Sequence, residues 1–238
     1  MCGRFTNQAT WTEYYTTLRG FLDGARQGWK APAEDPKPRY NLAPTQKAPI
    51  IIADGDTGLE GLMARWDLVP FFHKGALEEK KWSSINARVE TVTTSGAFRD
   101  SVKRRRCLVP NHGFFEWKKE GEGKKQIKTP FWIKPTDTEI AFFAGIWDRW
   151  KGIAKGEEVE FVSFAILTCE PNFLVAPLHD RMPVILRPED YQTWVFGDAE
   201  TALKVAGPYP AQVMTAVQLG LAINSSRNEG ADLLVPCA

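Results

Sequence analysis

The chain has 238 residues, of which 43% are hydrophobic and 25% are charged, and its formal net charge is +1. This composition is typical of a globular protein that buries its own core without disulfide or metal support. A charge so close to neutral excludes binding to long duplex DNA through bulk positive charge, so any nucleic-acid site must be a local basic groove.

The lack of targeting signals and the spacing of the cysteines exclude membrane, secreted, metal-binding and disulfide-rich classes of protein. No apolar run approaches the length of a membrane span, and the first residues lack the apolar stretch of a signal peptide. We therefore expect a cytoplasmic protein, or a nuclear one if the source is eukaryotic, with no membrane association. Cys2, Cys107, Cys169 and Cys237 form no CxxC pair, so we expect no metal site, no cofactor and no disulfide framework.

The first half of the chain mixes helix and strand patterns. Residues 10–28 have the spacing of an amphipathic helix, with Thr10 or Thr12 as its N-cap. A loop rich in Pro and Lys covers residues 30–44. The remaining predictions are strands at 48–54 and 60–69, a polar loop at 70–83 and a short helix at 94–105.

Strand patterns dominate the second half. Pro188 starts a helix that ends near Phe196, and a second short helix follows Asp198. The end, from Val217, is predicted to be loop or edge strand, with a tail from about 231 to 238. The predicted strands are 106–118, 129–135, 139–147, 160–168 and 182–186. This order indicates an α+β fold in one domain, residues 1–238, whose mostly antiparallel sheets form a distorted barrel-like core with peripheral helices.

Cys2 carries unusual chemistry if Met1 is removed. Trimming is normal before a small residue, and it leaves an α-amine and a thiol on adjacent carbons. The amine, with a pKa of about 7.7–8.0, is partly neutral at physiological pH. An amine and a thiol together form a thiazolidine with an aldehyde. A thiol with the amine as its base can instead attack an amide, as in N-terminal nucleophile hydrolases.

Five short segments are spread over most of the chain. They are MCGRF (1–5), RYNLAP (39–44), INARVET (85–91), GFFEWK (113–118) and LHDRMP (178–183), and NSSRNEG (224–230) follows them. In this order they resemble the SRAP family, the "SOS response-associated peptidase" proteins that shield abasic sites. The resemblance implies a monomer that binds single-stranded DNA containing abasic sites, in association with chromosomal DNA, and that forms a crosslink through Cys2 after removing its own Met1.

The resemblance also implies the catalytic residues. Glu116 matches the family's glutamate, which moves protons during Schiff-base formation, a task that suits a carboxyl with a raised pKa. Alternation places Glu116 on the same face as Phe114, where a charge without a function is unfavourable. His179 matches the active-site histidine, and Asn86 matches an asparagine that holds the substrate or the Cys2 amine.

A second set of residues is predicted to contact DNA. Trp117 is expected to stack on a base beside the lesion, because stacking on single strands does not depend on sequence. Phe72 is the nearest match to a second family aromatic, with Phe71 and Trp82 as alternatives. The other DNA-binding residues implied by the resemblance are Arg4, Arg88 and Arg181 for phosphates, together with Asn41 and Pro44 of the second segment.

Two alternative functions remain open at this stage. The first is an N-terminal nucleophile cysteine amidohydrolase or peptidase, for which release of ammonia from glutamine would be diagnostic. The second is a non-catalytic single-strand binding module that uses Trp117 and the arginines. Such a module would bind intact and abasic DNA equally and would form no adduct.

Overall fold

The computed structural model describes residues 2–22, 28–56, 58–121 and 127–237. The helices in these ranges are short. Helix α1 begins after a capping box formed by Thr10 and Glu13, and it ends at Gly20, well before the predicted boundary. Part of that predicted helix, residues 23–27, lies outside the described residues. The α-helices of the described residues are α1 (Trp11–Arg19), α2 (Arg99–Arg104), α3 (Tyr191–Phe196) and α4 (Ala199–Lys204).

Fourteen strands in the described residues form two sheets. They are β1 (Phe5–Asn7), β2 (Gly28–Lys30), β3 (Arg39–Leu42), β4 (Lys47–Asp54), β5 (Gly58–Trp66), β6 (Asn86–Arg88), β7 (Arg106–Asn111), β8 (Phe114–Glu120), β9 (Ile127–Pro135), β10 (Ala141–Ala154), β11 (Glu157–Cys169), β12 (Met182–Pro183), β13 (Ile185–Leu186) and β14 (Met214–Gln218). The α+β class and the antiparallel character predicted from the sequence are confirmed.

The larger sheet closes into a five-stranded barrel. Strands β11, β10, β7, β4 and β5 pair in that order, and β5 returns to β11 through a parallel pairing at Ser163 and Phe164. The barrel strands supply most of the core, where Trp66 packs against Phe5 and Phe164 with ring centroids 5.0 and 6.4 Å away. Strand β6 continues beside β11, with Asn86 paired to Ile166.

The predicted strand 106–118 is in fact two strands in different sheets. Gly113 separates them with a φ of 118°, a backbone conformation that favours glycine. A Cβ atom there would also lie 2.7 Å from the carbonyl oxygen of Ile133. The break sends β8 into the smaller sheet, whose order is β14-β9-β8-β1-β3, and brings Glu116 beside the N-terminal segment.

The C-terminal segment covers the outer face of the smaller sheet, so the predicted tail is wrong. Residues Ala231–Leu234 form a 3-10 helix, and the backbone N–H of Cys237 donates to Gln218 at 3.0 Å. Leu233 is buried with Phe115 in a second, small hydrophobic cluster. This cluster forms because β8 presents apolar side chains on both faces, and one face needs a cover.

No helix among the described residues is long and apolar enough to cross a membrane.

Candidate active site and nucleic-acid interface

Cys2 lies at the centre of the candidate site. Its side chain is fully buried, and its thiol donates to the carbonyl oxygen of Arg4 at 3.8 Å. Burial raises the pKa of the thiol, and the neighbouring charge of Glu116 raises it further. The side-chain amide of Asn86 donates to the carbonyl oxygen of Cys2 at 2.8 Å. Pairing between β1 and β8 at Phe5 and Phe114 holds the N-terminal segment in this position.

Glu116 is a buried carboxyl group with an unusual proton affinity. Only 3% of the residue is exposed. Burial raises its pKa from 4.5 to about 7, and the nearby carboxylate of Asp180 contributes in the same direction, while Lys119 opposes them. At neutral pH the group therefore exists in both protonation states, as a residue that both accepts and donates protons requires.

His179 shares the electrostatic neighbours of Glu116, since Lys119 and Asp180 perturb both groups. The backbone N–H of Arg181 donates to Nδ1 of His179 at 3.0 Å, which favours the neutral tautomer with its proton on Nε2, whereas the Asp180 carboxylate beside Nδ1 favours a proton on Nδ1. Burial lowers the pKa of His179, although the Asp180 carboxylate 2.8 Å from Nδ1 opposes this effect. The ring is therefore a neutral hydrogen-bond donor at pH 7.

The four candidate catalytic residues come from separate segments of the chain. Asn86 is bonded directly to Cys2, Glu116 perturbs the Cys2 thiol, and His179 shares charged neighbours with Glu116. No group of three or more His, Cys, Asp or Glu residues in the described ranges is arranged to hold a metal ion.

Arg4 and Trp117 form a cation–aromatic platform beside this site. The guanidinium carbon of Arg4 lies 5.7 Å from the centre of the Trp117 ring. The indole N–H of Trp117 donates to the side-chain oxygen of Asn224 at 2.6 Å. Trp117 is only partly buried, so part of its ring surface is available for stacking.

Asn41 has a different position from the one expected of a DNA contact. It is fully buried, and its side-chain amide donates to the backbone carbonyls of Ser225 at 2.9 Å and Asn228 at 3.0 Å. Its side-chain oxygen accepts from Arg4 at 2.5 Å. Asn41 therefore fixes the C-terminal segment and Arg4. Pro44 is half-buried at the end of the same motif.

Arg181 is also committed to the protein. Its guanidinium forms two hydrogen bonds of 2.8 Å with the carboxylate of Glu90 and a third, of 2.6 Å, with the carbonyl oxygen of Thr168. Only 8% of the residue is exposed, so the predicted phosphate contact would require this paired group to be shared. Arg88, by contrast, is exposed two residues after Asn86 on β6.

The loop that carries the three candidates for the second predicted aromatic is anchored to strand β10 of the barrel. Phe71, Phe72 and Trp82 are 54%, 42% and 43% exposed. The backbone N–H of Phe71 donates to Asp148, which is paired with Ser163 on β11. Ser163 is three residues from Ile166, the residue that pairs with Asn86, which corresponds to about 10 Å along β11. The exposure alone does not select one of the three aromatics.

Two residues that the sequence prediction did not assign hold the predicted ones in place. Asn224 bonds Trp117, and Glu90 bonds Arg181. Both lie in segments that were noted for their resemblance to family motifs, which is the signal that could have identified them. Their roles depend on contacts across 107 and 91 residues of sequence, which no local pattern encodes.

The chain is similar to several known proteins. The family model of the SOS response associated peptidase (SRAP) matches residues 1–226. Abasic site processing protein YoaM of Bacillus subtilis (strain 168) is 32% identical over 237 residues, with 98% of this chain and 97% of the relative covered. YedK of Escherichia coli (strain K12), another abasic site processing protein, is 31% identical, with 99% and 100% covered.

A solved structure supports the same assignment at the level of fold. A Bacteroides thetaiotaomicron protein has a TM-score of 0.77 over the whole of both chains at 24% identity, which shows a shared fold. The family match covers nearly the whole chain, and the alignments with the two relatives cover 98% and 99% of it. The chain therefore belongs to the SOS response associated peptidase (SRAP) family.

Proposed function

We propose that this chain, as a monomer, binds single-stranded DNA at abasic sites and links Cys2 covalently to the ring-opened sugar, shielding the lesion during the response to DNA damage. The hydrogen bond from Asn86 to Cys2, together with the charge of the nearby Glu116 that raises the pKa of the Cys2 thiol, carries this proposal. In this arrangement a carboxyl group with a pKa of about 7 acts on a residue that can present both an amine and a thiol. The names of the relatives, abasic site processing proteins, support the same substrate.

The first step is removal of Met1. Hydrolysis of the Met1–Cys2 peptide bond consumes one water, releases methionine and leaves an amine on Cys2. Met1 itself lies outside the described residues. The side-chain oxygen of Asn86 is buried, and no donor among the described residues reaches it. Since Asn86 already binds the Cys2 carbonyl, the new amine would be a suitable donor to that oxygen.

The crosslink then forms in two additions. His179 donates a hydrogen bond from Nε2 to the sugar ring oxygen as the ring opens to the aldehyde; the ring oxygen gains one proton and the anomeric hydroxyl loses one, so His179 remains neutral. The Cys2 amine attacks the aldehyde carbon, and the hydroxyl group leaves as water with a proton from Glu116, which produces the Schiff base. The Cys2 sulfur attacks the same carbon, its proton passes to Glu116, and a thiazolidine closes. One water is released and no oxidant is needed.

The nucleic-acid interface explains the preference for single strands. Stacking on Trp117 requires an unpaired base, and it contributes about 1–3 kcal/mol per base. Arg4 beside the ring and the exposed Arg88 supply local positive charge in a chain whose formal net charge is only +1. Binding therefore depends on a small groove rather than on the overall field of the protein.

A comparison of two substitutions at Cys2 tests the chemistry. The purified protein is first weighed by mass spectrometry to establish the loss of Met1, and it is then incubated with an abasic single-stranded oligonucleotide. We expect a gel-shifted adduct that survives denaturation. Cys2→Ser keeps the amine but not the thiol, so borohydride should trap its Schiff base while no stable adduct forms without reduction. A heat-stable adduct from Cys2→Ala would contradict the proposed thiazolidine.

Peptidase activity in this proposal is limited to Met1. The description of the family includes peptidase, and hydrolysis of a single peptide bond in the chain's own N-terminus satisfies it. The thiol is fully buried with a raised pKa, which does not suit turnover of external proteins. Incubation with casein or glutamine should release neither peptides nor ammonia. Release of either would favour an amidohydrolase.

A further inference from the structure

We propose that Asn224, which lies in the C-terminal strap of residues 221–230, is the positioning residue that fixes the indole of Trp117 for stacking on DNA. This inference rests on the proposed function, because it assigns Trp117 to DNA. It adds a residue that acts through Trp117 and does not itself bond to the reacting atoms.

Asn224 restrains the two members of the platform at once. Its side-chain oxygen accepts the indole N–H of Trp117 at 2.6 Å. Its backbone carbonyl accepts from the guanidinium of Arg4 at 3.4 Å, and the carbonyl of Ile223 accepts from the same group at 3.1 Å. The cation is therefore held over the ring, and the ring is held at its N–H edge.

The strap is itself anchored from both ends. Ile223 is fully buried against Phe115 in the small cluster that also contains Leu233. Glu229 pairs with Arg39 at 3.0 Å and accepts the backbone N–H of Asn41 at 3.1 Å. The position of Asn224 is therefore set before any ligand arrives.

A fixed indole has a consequence for binding. A tryptophan on a free strand edge can rotate about two side-chain bonds, and binding must then select one rotamer. The bond to Asn224 and the packing of Trp117 on the small cluster select the rotamer in advance. Preorganisation of this kind increases affinity by lowering the entropy lost on binding. Asn224 should therefore increase the affinity for DNA only when residue 117 carries an indole N–H.

A double-mutant cycle tests this dependence. The probe is an intact fluorescent single-stranded oligonucleotide, which reports binding without crosslinking. We expect Asn224→Ala to weaken binding about three- to tenfold in the wild-type background, as for the loss of one hydrogen bond. In the Trp117→Phe background, which keeps an aromatic ring but has no N–H, we expect the same change to have almost no effect. Equal losses in the two backgrounds would overturn the proposal.

Two controls separate positioning from general damage to the strap. Asn228→Ala removes a hydrogen bond of 2.8 Å to Ala222 within the same strap, without contacting Trp117 or Arg4 through its side chain. We expect it to bind DNA like the wild type. The indole N–H of Trp117 should exchange with solvent faster in Asn224→Ala, while the other eight tryptophans keep their exchange rates. Unchanged exchange of Trp117 would contradict the positioning role.

The same variants distinguish failure of this inference from failure of the proposed function. A coupled cycle without any adduct on abasic DNA would refute the crosslinking chemistry and leave the role of Asn224 intact. An adduct on abasic DNA, together with additive effects of the two substitutions on binding, would refute the role of Asn224 and leave the crosslinking chemistry intact. If the wild type does not bind the intact probe at all, the assignment of Trp117 and Asn224 to DNA is wrong.

Discussion

Replacement of Glu116 by Gln should stabilise the protein at alkaline pH while it abolishes fast crosslinking. The carboxyl group has a pKa of 4.5 in an unperturbed setting and about 7 in the fold, because burial disfavours its anion. The free energy of unfolding therefore decreases when the group ionises. The stability associated with the protonated form is fully present below pH 4.5, and it is lost as the pH rises through about 7. Glutamine has no proton to lose and avoids this penalty.

The magnitude follows from the two pKa values. A tenfold change in proton affinity corresponds to about 1.4 kcal/mol, so the full difference is about 3 kcal/mol. Integrated between pH 5 and pH 8, the wild type should lose about 2–3 kcal/mol of unfolding free energy relative to Glu116→Gln. This loss is a large part of a typical domain's total stability of roughly 5–15 kcal/mol.

Urea denaturation at pH 5 and pH 8 measures the difference directly. All other titrating groups are common to both proteins and cancel in the comparison. Glu120→Gln is a matched control, because Glu120 ends the same strand with an exposed side chain that pairs with Lys118 at 2.8 Å. Its stability should follow the wild type at both pH values. If Glu116→Gln also follows the wild type, the carboxyl group has an ordinary pKa and the reasoning on its catalytic role fails.

Two further predictions concern residues that support the site. Glu90→Ala removes the carboxylate that pairs with the buried guanidinium of Arg181, so we expect a loss of about 1–2 kcal/mol in urea denaturation. An unchanged unfolding free energy would show that this pair does not stabilise the fold. Leu233→Ala opens a cavity against Phe115 and should lower the unfolding free energy by about 2–3 kcal/mol, whereas a change below ~0.5 kcal/mol would mean that the C-terminal segment contributes nothing to the fold.

The elements that the sequence predicted well are those with a strong local pattern. The pair of strands around Gly55 agrees with β4 and β5, because alternation and a turn residue are local signals. Helix α1 begins after Thr10, one of the two predicted N-caps, but it ends early. The single strand predicted over 106–118 continues through Gly113, because the residues on each side of Gly113 both have a strand pattern. The change of sheet at Gly113 is decided by tertiary packing, which no local pattern shows.

The predicted tail and the predicted DNA contact at Asn41 share one physical cause. Residues from 231 onward have little apolar periodicity, and among residues 231–237, which the structure describes, only Leu233 is buried. A segment of this kind orders by covering the exposed face of another sheet, and that need was not visible in its own sequence. Asn41 is then buried by the same cover, and its amide satisfies the carbonyls of Ser225 and Asn228. A motif identified the position, but its partners came from the fold.

Glu116 connects stability with chemistry in a single property. A carboxyl group that is ionised at pH 7 is a weak acid catalyst, and one that is fully protonated is a weak base. Only a pKa near 7 lets the same group deliver a proton when the hydroxyl leaves and take one when the thiol closes the ring. Burial beneath the Cys2 segment produces that pKa, and it also makes the anion unfavourable. A variant with a more exposed Glu116 should therefore be more stable at pH 8 and slower to crosslink.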